Sequence, residues 1–246
     1  MSKRLGVIRH AYAKPLFAGL EQTSPESEIR FELVQDVPTR LVTKLLQDEL
    51  AGAFVTPIEY AKHHTQLRIL GGVCLASHGE THTIELHFRD NLRSIDSLAI
   101  NPESSSEIIL AKSILTEKFN CSPQLLAVQR MTPEVLKKSD SVLVVGDDCI
   151  EWEDHHNRID LVDEWFDITE YPYVHGFWVT KEHALTPEEV KRIQENVLQE
   201  EYLPIEFSFA FDEAALASLE EYYKIAFYYG ILKEVPDIQF LEALVE

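Results

Sequence analysis

The sequence predicts an α/β protein with parallel sheets divided between two lobes, and three observations predict it. Short apolar runs alternate with longer helical patterns along the chain, which is how β–α–β units are written. Helix starts follow strands at once, marked by Pro in the first turn, as at Thr56-Pro57, Thr132-Pro133 and Thr186-Pro187. The strand-like runs number about eight or nine, many for one small sheet and natural for two; 246 residues suffice for two cores of roughly 100 residues each.

The elements follow in order. Leu5–Ile8 reads as a strand. Asp36-Val37-Pro38-Thr39 opens a helix whose Leu41, Val42, Leu45, Leu46 and Leu50 share one face. Ala53–Val55 reads as a buried strand. Thr56 then supplies an N-cap, Pro57 the first helical residue and Glu59 an acid three residues after the cap. Arg68–Val73, Thr83–Phe88 and Ser97–Ile100 read as strands. Ser104 and Glu107 have capping-box spacing before a helix whose apolar face carries Ile108, Leu110, Ala111, Ile114, Leu115 and Phe119. Leu125–Val128 is a strand, Thr132-Pro133-Glu134 opens a short helix, and the strand Ser141–Val145 runs into Gly146-Asp147. Thr186-Pro187-Glu188-Glu189 opens another helix, Asp212 caps a last long one, and Gly230 stops it. Tyr222, Tyr223, Phe227, Tyr228 and Tyr229, at helical spacing in that last helix, read as core and lobe packing.

Charge narrows the partners. With 22 Lys plus Arg against 42 Asp plus Glu, the formal net charge is −20, which opposes a broad interface with nucleic acid or anionic membrane. A small anionic ligand needs only a local positive pocket. Cys74, Cys121 and Cys149 are odd in number and lack CxxC spacing, as expected of reduced thiols in a cytoplasmic protein. No apolar run reaches the ~18–20 residues of a membrane span.

Ligands of α/β sheets sit beyond the carboxyl ends of strands, where helix N-termini offer free N–H groups. Three junctions fit: Thr56-Pro57, Ser104–Ser106 and Gly146-Asp147, with a cleft between lobes as the expected site. Ser104, Ser105 and Ser106 read either as a hydroxyl-rich anion nest or as plain capping. Asp147, beside Asp148, reads either as a ligand-facing acid or as a turn residue. Arg9, His10 and Lys14 are the densest local positive charge, after the first strand. The histidine groups His63-His64, His78/His82/His87 and His155-His156 invite a metal. No HExxH occurs, however, and His82 and His87, an odd number apart, are expected on opposite faces of one strand. No Walker loop, GxGxxG or GxSxG is present, so neither nucleotide nor serine-hydrolase chemistry has its cradle.

Seven segments in order resemble one family: Ala13–Leu16 (AKPL), Ala53–Tyr60 (AFVTPIEY), Cys74–Gly79 (CLASHG), Pro102–Ser106, Val144–Asp147 (VVGD), Asp160–Trp165 (DLVDEW) and Tyr171–Val174 (YPYV) with Trp178. The chain resembles the chorismate dehydratase family of the futalosine route to menaquinone, cytoplasmic relatives of type 2 periplasmic solute-binding proteins. The resemblance implies a two-lobed periplasmic-binding-protein-like fold with the ligand cleft between lobes. Residues 1–88 plus 178–246 would form one lobe and 89–177 the other, as a monomer or homodimer. It implies loss of water from chorismate, without metal or cofactor, in the cytoplasm. Tyr12 stands where the family has a catalytic Asn, and Thr83 where it has a catalytic Ser. The family's Ser-x-Thr-Ser is here Ser104, Ser105, Ser106 and Glu107. Arg9, His10, Lys14, Thr56, His78, Ser104, Ser105, Ser106, Asp147 and His175 are the expected contacts of a small anionic organic acid, with His10, His78 and His175 as proton carriers. The altered Tyr12 and Glu107 leave a second reading, a non-catalytic binder of a carboxylate metabolite on the same fold.

Overall fold

The computed structural model describes residues 2–22, 29–90, 92–152, 155–196 and 206–242. The chain divides into two compact units, Met1–Ala76 with Val174–Glu246, and Ser77–Tyr173.

The first unit begins with β1 (Lys3–Val7), which pairs in parallel with β2 (Phe31–Gln35) and β3 (Gly52–Val55). Between them α1 (Pro38–Leu46) buries Leu41, Val42 and Leu45, the face its spacing predicted. Val37 is its N-cap; Asp36 stands one residue outside, where its carboxylate accepts the Val37 N–H at 2.9 Å and pairs with Lys44 at 2.7 Å. The short α2 (Pro57–Ala61) leaves β3 directly, with Thr56 as N-cap and Pro57 as first residue. The Thr56 side chain accepts no helix N–H, and Glu59 instead pairs with Lys62 at 2.8 Å. After β4 (Arg68–Ser77) the chain leaves for the second unit.

There, β5 (Ile84–Phe88), β6 (Ser97–Ile100), β7 (Gln124–Ala127), β8 (Ser141–Val145) and β9 (Arg158–Asp160) form one sheet in the order β7-β6-β8-β5-β9. β6 is parallel to β7 and β8, whereas β5 is antiparallel to β8 and β9. β5 thus has both neighbours in the second unit, although the sequence put it with the first lobe. Two helices complete the unit: α3 (Ser105–Glu117), between β6 and β7, and α4 (Leu161–Thr169), after β9. Ser104 is the N-cap of α3 but its side chain makes no cap hydrogen bond, so the expected capping box does not form. Trp152 closes the core, its indole N–H donating to the Met131 carbonyl at 2.7 Å among Ala99, Leu136, Val142 and Val144.

The chain returns through β10 (Tyr173–Thr180), buried at all eight residues and antiparallel to β3. Gly176 is required there: a Cβ would fall 2.7 Å from the Val55 carbonyl oxygen and 2.6 Å from the Phe54 ring. The capping box forms at α5 (Pro187–Gln194), where Thr186 and Glu189 satisfy each other's backbone N–H. β11 (Phe207–Phe211) completes the sheet order β11-β4-β10-β3-β1-β2. Asp212 caps α6 (Glu213–Tyr228), accepting the Ala215 N–H at 2.9 Å. Gly230, at φ +67°, ends α6 in a Schellman motif: the Ile231 N–H reaches the Ala226 carbonyl, and the Gly230 N–H that of Phe227. Tyr222 and Tyr223 are buried, but Phe227 and Tyr228 are 47% and 82% exposed, so only the first half of that aromatic run packs.

Both sheets are mixed rather than parallel, and the described strands number eleven. The elements beyond expectation are short or interrupted. β9 has three residues, β10 carries His175 and Gly176, and β2 and β11 are only partly buried.

Candidate functional site

Strand direction sorts the expected site residues. In the first unit β1 and β3 are parallel and end at Val7 and Val55; β10 opposes β3 with Phe177 beside Val55, so its early residues share that edge. Arg9, His10, Tyr12 and Lys14 follow β1, Thr56 follows β3, and His175 is the third residue of β10. A short 3-10 helix, Ala11–Leu16, turns the chain back after His10. The His10 and Tyr12 rings stack at 5.2 Å, only 7° from parallel. Tyr12 also packs on His175 at 5.3 Å and on Phe207 at 6.3 Å, and His175 meets Phe207 at 6.0 Å. Tyr12 is half-buried, Thr56 is buried, and Arg9 and Lys14 are exposed. Burial, with His10 nearby, pushes the His175 imidazole down to about 3. His175 is therefore neutral at pH 7, outside the neutral titration range expected of a proton carrier. Phe207 was missed from the sequence, although the FSFAF alternation of β11 was a usable strand signal.

The second unit assembles a corresponding edge. β6 and β8 are parallel and end there, β5 starts there with Ile84 opposite Val145, and β9 ends there with Asp160 opposite Glu85. Hence Ser104–Ser106 at the start of α3, Gly146-Asp147 after β8, Thr81–Thr83 before β5 and the N-terminus of α4 share one sheet edge. The Thr83 hydroxyl lies 2.8 Å from that of Thr81, and the Thr83 carbonyl accepts the Gly146 N–H at 2.7 Å. Thr83, Ser106 and Glu107 are buried, Ser104 and Ser105 are half-buried, and Asp147 is exposed. His78 is also exposed; its ring lies 5.9 Å from Phe166 on α4, outside the hydroxyl pair.

Behind Thr83 sits a charged cluster that the sequence did not reveal. Glu85 is 1% exposed; its Oε1 is 2.9 Å from His82 Nδ1 and its Oε2 2.8 Å from His87 Nε2. Arg158 Nε lies 3.3 Å from Glu85 Oε1, and His155 Nδ1 lies 3.2 Å from His87 Nδ1. Burial drives the Glu85 carboxyl up, but the hydrogen bonds from His87 and His82 and the charge of Arg158 outweigh it, leaving the group below its ordinary value. His82 and His87 do not face opposite ways: both meet Glu85. Alternation fails because His82 precedes the strand, in the left-handed region at φ +55°. Among the described residues no group of three or more His, Cys, Asp or Glu could hold a metal ion.

The menaquinone biosynthesis family matches residues 3–202. A chorismate dehydratase of Thermus thermophilus is 25% identical over 201 residues, covering 74% of this chain and 71% of its own. A solved structure from Archaeoglobus fulgidus superposes with a TM-score of 0.65 at 14% identity, covering 94% of this chain and 98% of that one. The periplasmic aliphatic sulphonate binding protein of Escherichia coli gives 0.64 at 10% identity, with 96% and 95% covered. A Candida albicans protein described as having the generic periplasmic binding protein fold gives 0.53 at 11% identity, with 94% and 73% covered. The fold is periplasmic-binding-protein-like. No described helix is long and apolar enough to cross a membrane.

Proposed function

The chain belongs to the menaquinone biosynthesis family, and from that premise we propose that it is a hydro-lyase that removes water from chorismate, giving 3-[(1-carboxyvinyl)oxy]benzoate. The name of its Thermus thermophilus relative supports this substrate. The elimination breaks one ring C–H bond and one C–O bond. The proton and hydroxide leave together as water, and the ring becomes aromatic. The balance needs no oxidant and no external proton.

The protein's work is then to hold a dianion and to stabilise the departing hydroxide. Thr83 and Tyr12 are the hydroxyl donors for the reacting ring. Arg9, Lys14 and the start of α3 at Ser104, Ser105 and Ser106 supply positive potential for carboxylates. His10, stacked on Tyr12, fixes that ring. Thr56, His78 and Asp147 remain proposed contacts, and His175 acts as a neutral partner of Tyr12. The observation that carries the reading is the Thr81–Thr83 hydroxyl pair on the sheet edge that also holds the α3 and α4 N-termini. Incubating the purified protein with chorismate and following the enolpyruvyl benzoate by chromatography and mass tests it. Formation of that product supports the proposal, and unchanged chorismate at high protein concentration overturns it.

A second reading is a non-catalytic binder of a small anion. The ring cluster around Tyr12 favours it, because an aromatic platform binds without performing chemistry. The name of the Escherichia coli neighbour points the same way. This reading predicts that chorismate raises Tm through binding to the folded state and is recovered intact.

A further inference from the structure

We propose that Asp160 is a positioning residue for the Thr83 hydroxyl, its one buried carboxylate tying the Thr81–Thr83 segment to the first turn of α4. This rests on the hydro-lyase reading, in which Thr83 is catalytic. Asp160 does two jobs with two oxygens. Oδ1 caps α4 by accepting the Val162 N–H at 2.8 Å and the Asp163 N–H at 3.3 Å. Oδ2 is not needed for the helix; it accepts the Thr81 N–H at 2.8 Å and the His82 N–H at 2.6 Å.

Two successive amides reach one oxygen only if the backbone curls, and it curls at His82, a non-glycine residue at φ +55°. Such a conformation is strained for a residue with a side chain and persists where its surroundings over-determine it. Here they do. Asp160 holds the amides, the Gly146 N–H holds the Thr83 carbonyl, and Thr81 Oγ1 lies 2.8 Å from Thr83 Oγ1. The carboxylate is 6% exposed, so these N–H groups stand in for the water it has lost. A serine would suffice as a cap for α4. An acid with a second oxygen aimed at the preceding segment is what a clamp requires.

That difference supplies the test. Asp160→Ser keeps a hydroxyl at the N-cap but is too short to reach Thr81 and His82. Asp160→Asn keeps the volume while turning one acceptor into a donor. Each variant is compared with wild type and Thr83→Ala by chorismate kinetics and by amide hydrogen exchange. In Asp160→Ser, kcat is expected to fall about 10–100-fold, as for a reacting group misplaced by roughly 1 Å, with KM changed less than about threefold. Exchange protection should be lost at Thr81 and His82 and kept at Val162. Asp160→Asn should show the same kcat loss and serves if the serine variant does not fold. Thr186→Ala, which removes the α5 cap in the first unit, should lower Tm without changing kcat. Wild-type protein without turnover, or Thr83→Ala at wild-type rate, overturns the hydro-lyase reading. An inactive Thr83→Ala beside an Asp160→Ser of wild-type kcat, or unchanged protection at Thr81 and His82, overturns the clamp alone.

Discussion

The sheet edge of the first unit is built from rings, and that of the second is backed by a buried carboxylate and its partners. In the first, His10, Tyr12, His175 and Phe207 stack on one another, and burial, with His10 nearby, keeps the His175 imidazole neutral. In the second, Glu85 is buried as deeply yet held ionised by His87, His82 and Arg158. Burial decides the state of that imidazole, and partners decide the state of a carboxylate that has three. The two edges are therefore vulnerable to different insults: the first to acid, the second to loss of a partner.

The largest expected effect is in the second unit. Glu85→Gln leaves Arg158 and two imidazoles around a neutral group and should cost about 3–5 kcal/mol, read as a shift of the urea midpoint. A loss below about 1 kcal/mol would show that the cluster is balanced without its carboxylate. Next comes chemistry. Thr83→Ala should lower kcat about 100–1000-fold, as for a lost transition-state donor. Tyr12→Phe, which keeps the stack and removes one hydroxyl, should cost about tenfold. Equal losses would erase the division of labour between the edges. Acid is third. A histidine whose folded pKa is depressed has its proton taken up only on unfolding, so its contribution is complete above about pH 6.5. Stability should fall by about 1.4 kcal/mol per pH unit as pH drops from there toward the folded value of about 3. His175→Phe keeps a ring against Tyr12 and Phe207 and should remove that slope from thermal melts taken across pH 4–7; an unchanged slope would place the acid sensitivity elsewhere. The smallest effect is at Gly230, at the end of α6. Alanine there meets nothing within 4 Å but must hold φ +67°, so about 1 kcal/mol and no change in kcat are expected.

Local grammar was legible wherever the chain writes it in adjacent residues. The face of α1, the capping box of α5, the Asp212 cap and the Gly230 stop all follow from short-range spacing. The boxes expected at Thr56 and Ser104 have the same letters without the bonds, because those side chains accept no helix N–H. Direction was not legible: a strand reads alike both ways, so the antiparallel β5 and β10 inside parallel sheets, and the second-unit pairing of β5, emerge only from tertiary pairing. For the site, strand-end logic pointed to Arg9, His10 and Lys14 after β1, to Thr56 after β3, and to Ser104–Ser106 and Asp147, whereas Tyr12, Thr83 and His175 came with the family resemblance. It could not supply Phe207, distant in sequence, or the Glu85 cluster, since Glu85, His87, His155 and Arg158 meet only after β9 pairs with β5.

The place of β10 between β4 and β3 bears on how the molecule is made. Without it, the sheet of the first unit is two disconnected ribbons, β11-β4 and β3-β1-β2. As the polypeptide leaves the ribosome, residues 1–76 must wait for about a hundred more before their missing partner arrives. The intervening stretch has all its strands contiguous and is free to close meanwhile. Translation order thus favours closure of the second unit first, with residues 1–76 among the last to become native.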